Sequence, residues 1–181
     1  WAGAPPEAGL AARAHRRGIN SPTTSAAGRV FDAAAAMLTG RHTVSYEAEG
    51  PMRLEALCDG TGEASALPLA RGEDGILRSD WAPLLPLLAD TRRPAGRRAA
   101  DFHASMARVV VDQALRLSET AAVRHVGLTG GVFQNRVLAE HAIAGLEAAG
   151  FRVFLPQRLP CNDAALSLGQ AAEIAARCAQ C

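Results

Sequence analysis

Apolar residues recur every three or four positions over residues 29–39, 101–119 and 134–149, and run almost unbroken over 123–128 and 151–155. The first spacing buries one face of a helix; the second suits a short buried strand. In 29–39, Val30, Phe31, Ala34, Met37 and Leu38 share the apolar face, Asp32 falls off it, and Gly40 stands at the helix stop. In 101–119, Phe102, Met106, Val109, Val110 and Leu117 form the apolar face. Asp101, Ser105, Arg108, Asp112 and Arg116 line the opposite, polar one. His103 reads first as a satisfied structural histidine and second as a catalytic one. Further helices are expected at 4–18, at 164–177 and, after a turn at Glu49-Gly50-Pro51, at 52–58. Residues 43–46 are β-prone. The Gly-, Ser- and acid-rich stretch 59–75 reads as loop with a short strand around Leu67, and 76–81 as a second strand of a hairpin-like insertion. Residues 81–89 are apolar but interrupted by Pro83 and Pro86. Pro94-Ala95-Gly96 is a break. The Arg92, Arg93, Arg97 and Arg98 around it read as solvated surface before a phosphate- or partner-facing patch.

Strand, helix and strand at 123–128, 134–149 and 151–155 imply a parallel, right-handed βαβ unit, completed by the helix at 164–177. The expected class is therefore α/β with a βαβα unit. Parallel strands end at one edge of the sheet, where open α/β sheets bind ligands. After the first strand comes Leu128-Thr129-Gly130-Gly131-Val132-Phe133-Gln134-Asn135. Paired glycines allow close backbone approach, and the N–H groups of a helix start favour an anion. An ordinary βα turn is the bland alternative. Gly130 and Gly131 can take phosphate or sugar oxygens, and Asn135 can hydrogen-bond a hydroxyl. Asp163, after the second strand, has two readings. Spacing slightly favours a cap on the last helix; the other is a ligand for a cation that neutralises a phosphate.

Composition narrows the class. The chain has 181 residues, 49% apolar and 20% charged, which fits one globular domain or one lobe of a larger one. A net charge of +1 excludes a bulk nucleic-acid or membrane partner. Apart from histidine every basic residue is arginine, so no lysine clamp or Schiff base is available in this chain. Cys58, Cys161, Cys178 and Cys181 are too few and too scattered for a disulfide framework. Cys178-Ala-Gln-Cys181 has CxxC spacing but supplies half of a four-thiolate site. With no signal peptide and no apolar run of spanning length, the expected location is cytoplasmic. The chain opens on Trp1 within structured-looking sequence, which predicts a piece of a longer protein.

Three ordered segments carry a family resemblance. They are Ser21-Pro22-Thr23-Thr24-Ser25-Ala26-Ala27-Gly28-Arg29-Val30-Phe31-Asp32-Ala33, then Leu128-Thr129-Gly130-Gly131-Val132-Phe133-Gln134-Asn135-Arg136, then Leu155-Pro156-Gln157-Arg158-Leu159-Pro160-Cys161-Asn162-Asp163. Tyr46-Glu47, Leu54-Glu55 and Asp101-Phe102-His103 fit the same order. Together they resemble the C-terminal part of HypF-type carbamoyltransferases, which mature nickel–iron hydrogenases. The resemblance covers nearly the whole chain. It implies the actin-like, sugar-kinase-like ATPase (ASKHA) fold shared with the tRNA threonylcarbamoyl-transferase (TsaD-type) proteins: two lobes with a nucleotide between them. This chain would be the C-terminal portion of such a two-lobed module. Residues 1–60 would be inter-lobe helices, 61–100 an insertion and 101–181 the C-terminal lobe.

The same resemblance implies roles. Asp32 would bind the ribose or nearby nucleotide; Gly130, Gly131 and Asn135 would contact the adenylate; Asp163 would be a metal ligand. The implied cofactors are ATP and carbamoyl adenylate. The implied reaction passes the carbamoyl group to the C-terminal cysteine of a HypE-like partner, towards a cyanide ligand for iron. A divalent metal (Fe, Zn or Mg) is expected only where an N-terminal histidine pair completes the site. None of His15, His42, His103, His125 or His141 has a second histidine at such spacing. The family's acylphosphatase-like domain, paired CxxC segments and adenylate-forming domain are also outside this sequence. Ala164-Ala165 stand where the family typically has two glycines, and Ala48 where a glycine usually follows Tyr-Glu. Each adds a methyl near the expected ligand surface. These departures keep open a non-catalytic nucleotide- or partner-binding fragment of the same fold. Against a related kinase or threonylcarbamoyl transferase stand Phe133-Gln134-Asn135 and Pro160-Cys161-Asn162-Asp163. No residue stands out as a nucleophile, and Cys161 reads as structural.

Overall fold

The structure, a computed structural model, describes residues 6–179. The order is α1 (Ala8–Arg16), α2 (Ala27–Thr39), α3 (Glu49–Ala56), β1 (Leu69–Arg71), β2 (Leu77–Ser79), α4 (Leu84–Ala89), α5 (Ala95–Ser118), β3 (His125–Gly127), α6 (Arg136–Ala148), β4 (Arg152–Phe154) and α7 (Leu166–Cys178). Tight 3-10 turns occupy Gly131–Gln134 and Asp163–Ala165. β3 and β4 pair in parallel, with Val126 opposite Val153, and α6 crosses between them as the pattern predicts. β1 and β2 form the expected antiparallel hairpin, with the first strand at Leu69–Arg71, just after the Leu67 expected to centre it.

The core sits where α2, α5 and α6 meet. Phe31 of α2 and Phe102 of α5 pack edge to face with centroids 4.9 Å apart, and the His103 ring lies 5.4 Å from Phe31. Leu54, Leu84, Ala142 and Leu146 are fully buried around them. Each such leucine or phenylalanine contributes roughly 1.5–3 kcal/mol on burial. By contrast, α1 and α7 bury no residue.

Several expectations change. α5 begins at Ala95, ahead of residue 101, because Pro94 fits the residue before a helix instead of breaking one. α4 forms despite Pro86, and α3 starts at Glu49 despite Pro51. Both prolines sit in a first turn, where no intrahelical N–H is required. Residues 43–46 form no strand, and Val44 and Tyr46 are exposed, with no neighbouring strand to pair with.

The polar face of α5 is not a solvent face at its start. Asp101 and Ser105 are buried. The loop before β1 covers them and needs acceptors for its own backbone. Glu63 donates its N–H to Asp101 Oδ1 at 2.8 Å, and Ser65 donates to Ser105 Oγ at 3.0 Å. Arg93 closes an ion pair on Asp101. The neighbouring arginines also act as staples. Arg98 is buried and donates to the carbonyls of Arg93 and Leu88; Arg97 donates to those of Asp59 and Thr61. Leu117, expected on the apolar face, is exposed. Among the described residues no helix is long and apolar enough to cross a membrane. Cys178 is exposed; Cys181, its partner in the CxxC spacing, lies outside the described residues.

Candidate functional site

A cleft of about 780 Å³ opens between α2 and α3 on one side and the 3-10 turns after β3 and β4 on the other. Both turns leave the same sheet edge because the strands are parallel. Asp32, Gly131, Asn135 and Asp163 all line this cleft. Gly130 stands outside the lining. Its φ of 107° and ψ of 150° suit glycine alone, and its N–H donates to the Cys161 carbonyl. That bond ties the turn after β3 to the loop after β4.

The two turns use their polar side chains differently. Asn135 is buried and caps α6: its Oδ1 accepts from Leu138 N–H at 2.9 Å, while its Nδ2 lies 2.9 Å from His103 Nε2. The helix starts at Arg136, after the 3-10 turn, and its N-terminus already has an anion. Arg136 N–H donates to Glu55 Oε1, a carboxylate from α3, at 2.9 Å. On the other turn the cap is Asn162, whose Oδ1 accepts from Ala164 N–H at 3.1 Å. That caps the 3-10 turn; α7 itself starts after Ala165 with no side-chain cap, which corrects the capping role weighed for Asp163. The Asp163 carboxylate is exposed to the cleft and has no hydrogen-bond or ion-pair partner among the described residues.

Across the cleft, Asp32 pairs with Arg29 at 3.0 Å, and both side chains are partly exposed. Such a pair contributes less than about 1 kcal/mol, so a ligand can displace it. Gly50 brings α3 close to Asp32: an added Cβ would lie 3.3 Å from Ala35 Cβ and 3.7 Å from Asp32 Oδ1. Ala48 also lines the cleft, at φ 66° and ψ 6°. Its methyl therefore burdens the backbone, by roughly 1–2 kcal/mol for a left-handed L-residue, as well as narrowing the cleft.

The charged lining is acidic: Asp32, Glu47, Glu55 and Asp163 face one arginine, Arg29. A phosphate entering here needs a cation with it. Asp163 suits one position in the shell of such a cation. Among the described residues no group of three or more His, Cys, Asp or Glu is arranged to hold a metal.

Beneath the cleft, Cys58 Sγ lies 3.3 Å from His103 Nδ1. This is not a nucleophile and base. Burial, then Glu55, push the thiol up to about 11. Burial also holds His103 below its ordinary value, and its Nδ1 sits 2.8 Å from the Ala99 carbonyl. A protonated thiol beside a neutral imidazole is unreactive. Spacing could not reveal the roles of Glu55 and Asn162, because each depends on a helix N-terminus formed by another part of the chain or on a one-residue shift in the cap.

The family description "Carbamoyltransferase, Kae1-like Domain, second subdomain" matches residues 3–170. The chain belongs to that family. It is 43% identical over 169 residues to a carbamoyltransferase HypF of Rhodobacter capsulatus, covering 93% of this chain and 22% of that protein. It is 38% identical to a carbamoyltransferase HypF homolog of Cupriavidus necator, covering 86% of this chain and 41% of that one. A tRNA N6-adenosine threonylcarbamoyltransferase of Moorella thermoacetica is 31% identical over 167 residues. A crystal structure of full-length HypF, phosphate- and nucleotide-bound, superposes with a TM-score of 0.82 at 30% identity, covering 91% of this chain and 22% of that one. The fold is therefore a portion of the Kae1-like, actin-like ATPase module, as the motifs imply. The chain spans 22% of the length of the Rhodobacter capsulatus HypF and of the solved full-length HypF, and 41% of the Cupriavidus necator homolog.

Proposed function

We propose that this chain is the nucleotide-contacting part of a HypF-type carbamoyltransferase. The observation that carries the reading is the cleft itself, which gathers Asp32, Gly131, Asn135 and Asp163 from segments far apart in sequence. In the full-length protein, carbamoyl phosphate loses phosphate to give carbamate, whose oxygen attacks the α-phosphorus of ATP; pyrophosphate leaves and carbamoyl adenylate forms. A HypE-like partner presents its C-terminal cysteine thiolate. The sulfur adds to the carbamoyl carbon, the bond from that carbon to the adenylate phosphate oxygen breaks, and AMP leaves as an anion. A mixed anhydride with AMP is a good acyl donor because its leaving group is stable. The chain's part is to hold the donor still. Asp32 takes the ribose hydroxyls, Gly131 and Asn135 border the adenylate with Gly130 shaping the turn behind them, and Asp163 would supply one ligand to a divalent cation that offsets the acidic lining. Such a cation would stabilise the leaving phosphate, and its remaining ligands come from outside this chain.

The relative whose solved structure is nucleotide-bound supports the nucleotide part of this reading. Ala48 and Ala164, which line the cleft where the resemblance expects glycines, favour a second reading for the chain in isolation, a fragment that binds a nucleotide or partner without catalysing transfer. Calorimetry with AMP and ATP, with and without divalent cation, tests both. Cation-dependent binding by the full-length protein and weak or absent binding by this chain is the expected result. No binding by the full-length protein under either condition overturns the nucleotide role.

A further inference from the structure

We infer that His103 is a positioning residue for the cleft: its unprotonated Nε2 holds the Asn135 amide turned inward and so fixes the start of α6. The argument is one of donors and acceptors. Leu138 N–H can only donate, so the Asn135 atom 2.9 Å from it must be the oxygen. The amide NH₂ therefore faces His103 Nε2 at 2.9 Å, and that nitrogen must carry the lone pair. The ring proton then resides on Nδ1, which has the Ala99 carbonyl 2.8 Å away as acceptor. A single chain of hydrogen bonds runs from α6 through Asn135 and His103 into α5, with one tautomer allowed.

The groups packed on the ring pull both ways, and burial decides for the neutral form. α2 presents Phe31, edge-on at 5.4 Å. From α3 and just after it come Glu55, which favours a charged ring, and Cys58, whose thiol stays protonated. From α6 comes His141, which disfavours the charge. Its own helix adds Phe102, with centroids 5.7 Å apart. The ring is fully buried, and burial outweighs both the Ala99 carbonyl and Glu55, which favour the charge. A proton on Nε2 would set donor against donor at Asn135. The amide would have to turn and lose Leu138, or swing into the cleft that Asn135 and Gly131 line. The histidine never needs to touch a ligand to shape the site.

The test has two arms on the full-length protein. In the first, ¹⁵N-histidine NMR identifies the His103 signal by its loss in His103→Gln. A neutral ring protonated at Nδ1 is expected at about pH 7; an Nε2–H tautomer or a charged ring overturns the assignment. The second arm rests on the nucleotide-binding reading above, and follows AMP affinity in His103→Phe and His103→Gln. Phe leaves the buried amide without an acceptor, and affinity should fall about tenfold. Gln restores an acceptor that cannot titrate. It should keep affinity at about pH 7.5 and remove the loss that the parent shows as pH falls through the lowered value of His103. Unchanged affinity in His103→Phe, or an acid loss that persists in His103→Gln, overturns the positioning role. If the Phe variant does not fold, the Gln profile decides alone. If the parent binds no AMP, the nucleotide reading fails while the NMR arm still judges the hydrogen-bond assignment.

Discussion

Asn135 and Asp163 begin as equals and end as opposites. Each lies in the turn after a strand of the parallel pair, and each lines the same cleft. Yet Asn135 is buried with both ends of its amide engaged, whereas the Asp163 carboxylate is exposed and has no partner among the described residues. One side chain supports the wall of the cleft; the other is available to whatever enters. The difference comes from what lies behind each turn. The turn after β3 backs onto α5 and its buried histidine, while the turn after β4 leads into α7, which buries nothing.

The contrast can be broken by mutation. The largest effect should come from Asp163→Ala in the full-length protein: loss of carbamoyl transfer with stability unchanged to within about 0.5 kcal/mol, read by a transfer assay beside a denaturant melt. Retained transfer would remove Asp163 from the site. Asn135→Ala should do the reverse on stability, costing about 2 kcal/mol, since it removes a helix cap and leaves the acceptor on His103 unsatisfied. A melt shifted by no more than that of Asp163→Ala would erase the distinction. Ala48→Gly should stabilise by about 1 kcal/mol by relieving a left-handed alanine, and the same melts would detect it.

Smaller, but signed, is the pH dependence from His103. Its folded value is lowered by burial from the ordinary 6.5, so the unfolded chain binds the proton first on acidification. Its contribution to stability is present above 6.5 and is lost as pH falls through the lowered folded value. Urea melts of the parent and of His103→Gln should diverge on that acid side; parallel curves would show that the ring does not titrate as described. Smallest is chemical: Cys58, raised to about 11, should react with iodoacetamide at neutral pH far more slowly than the exposed Cys178.

Local pattern accounts for much of this molecule. The βαβ unit, the hairpin and the helix closed by Gly40 were all legible, because hydrophobic period and turn residues act over a few positions. Helix starts were less legible. Pro51, Pro86 and Pro94 look like breakers until one knows that each lies in or just before a first turn. The polar face of α5 misled for another reason. Asp101 and Ser105 are polar because a distant loop donates to them, and period alone cannot separate solvent from a buried loop.

The sequence by itself determined the family, the parallel unit and the residues that could meet at its edge, since these follow from ordered motifs and from the chirality of the crossover. Tertiary structure alone decided which of those residues are free. It gave Asn135 to His103, placed Glu55 on the helix N-terminus expected to be open, and left Asp163 off the start of α7 while Asn162 caps the 3-10 turn before it. The reason is that hydrogen-bonding capacity is written in residue type, whereas its use depends on which donor a fold brings within about 3 Å.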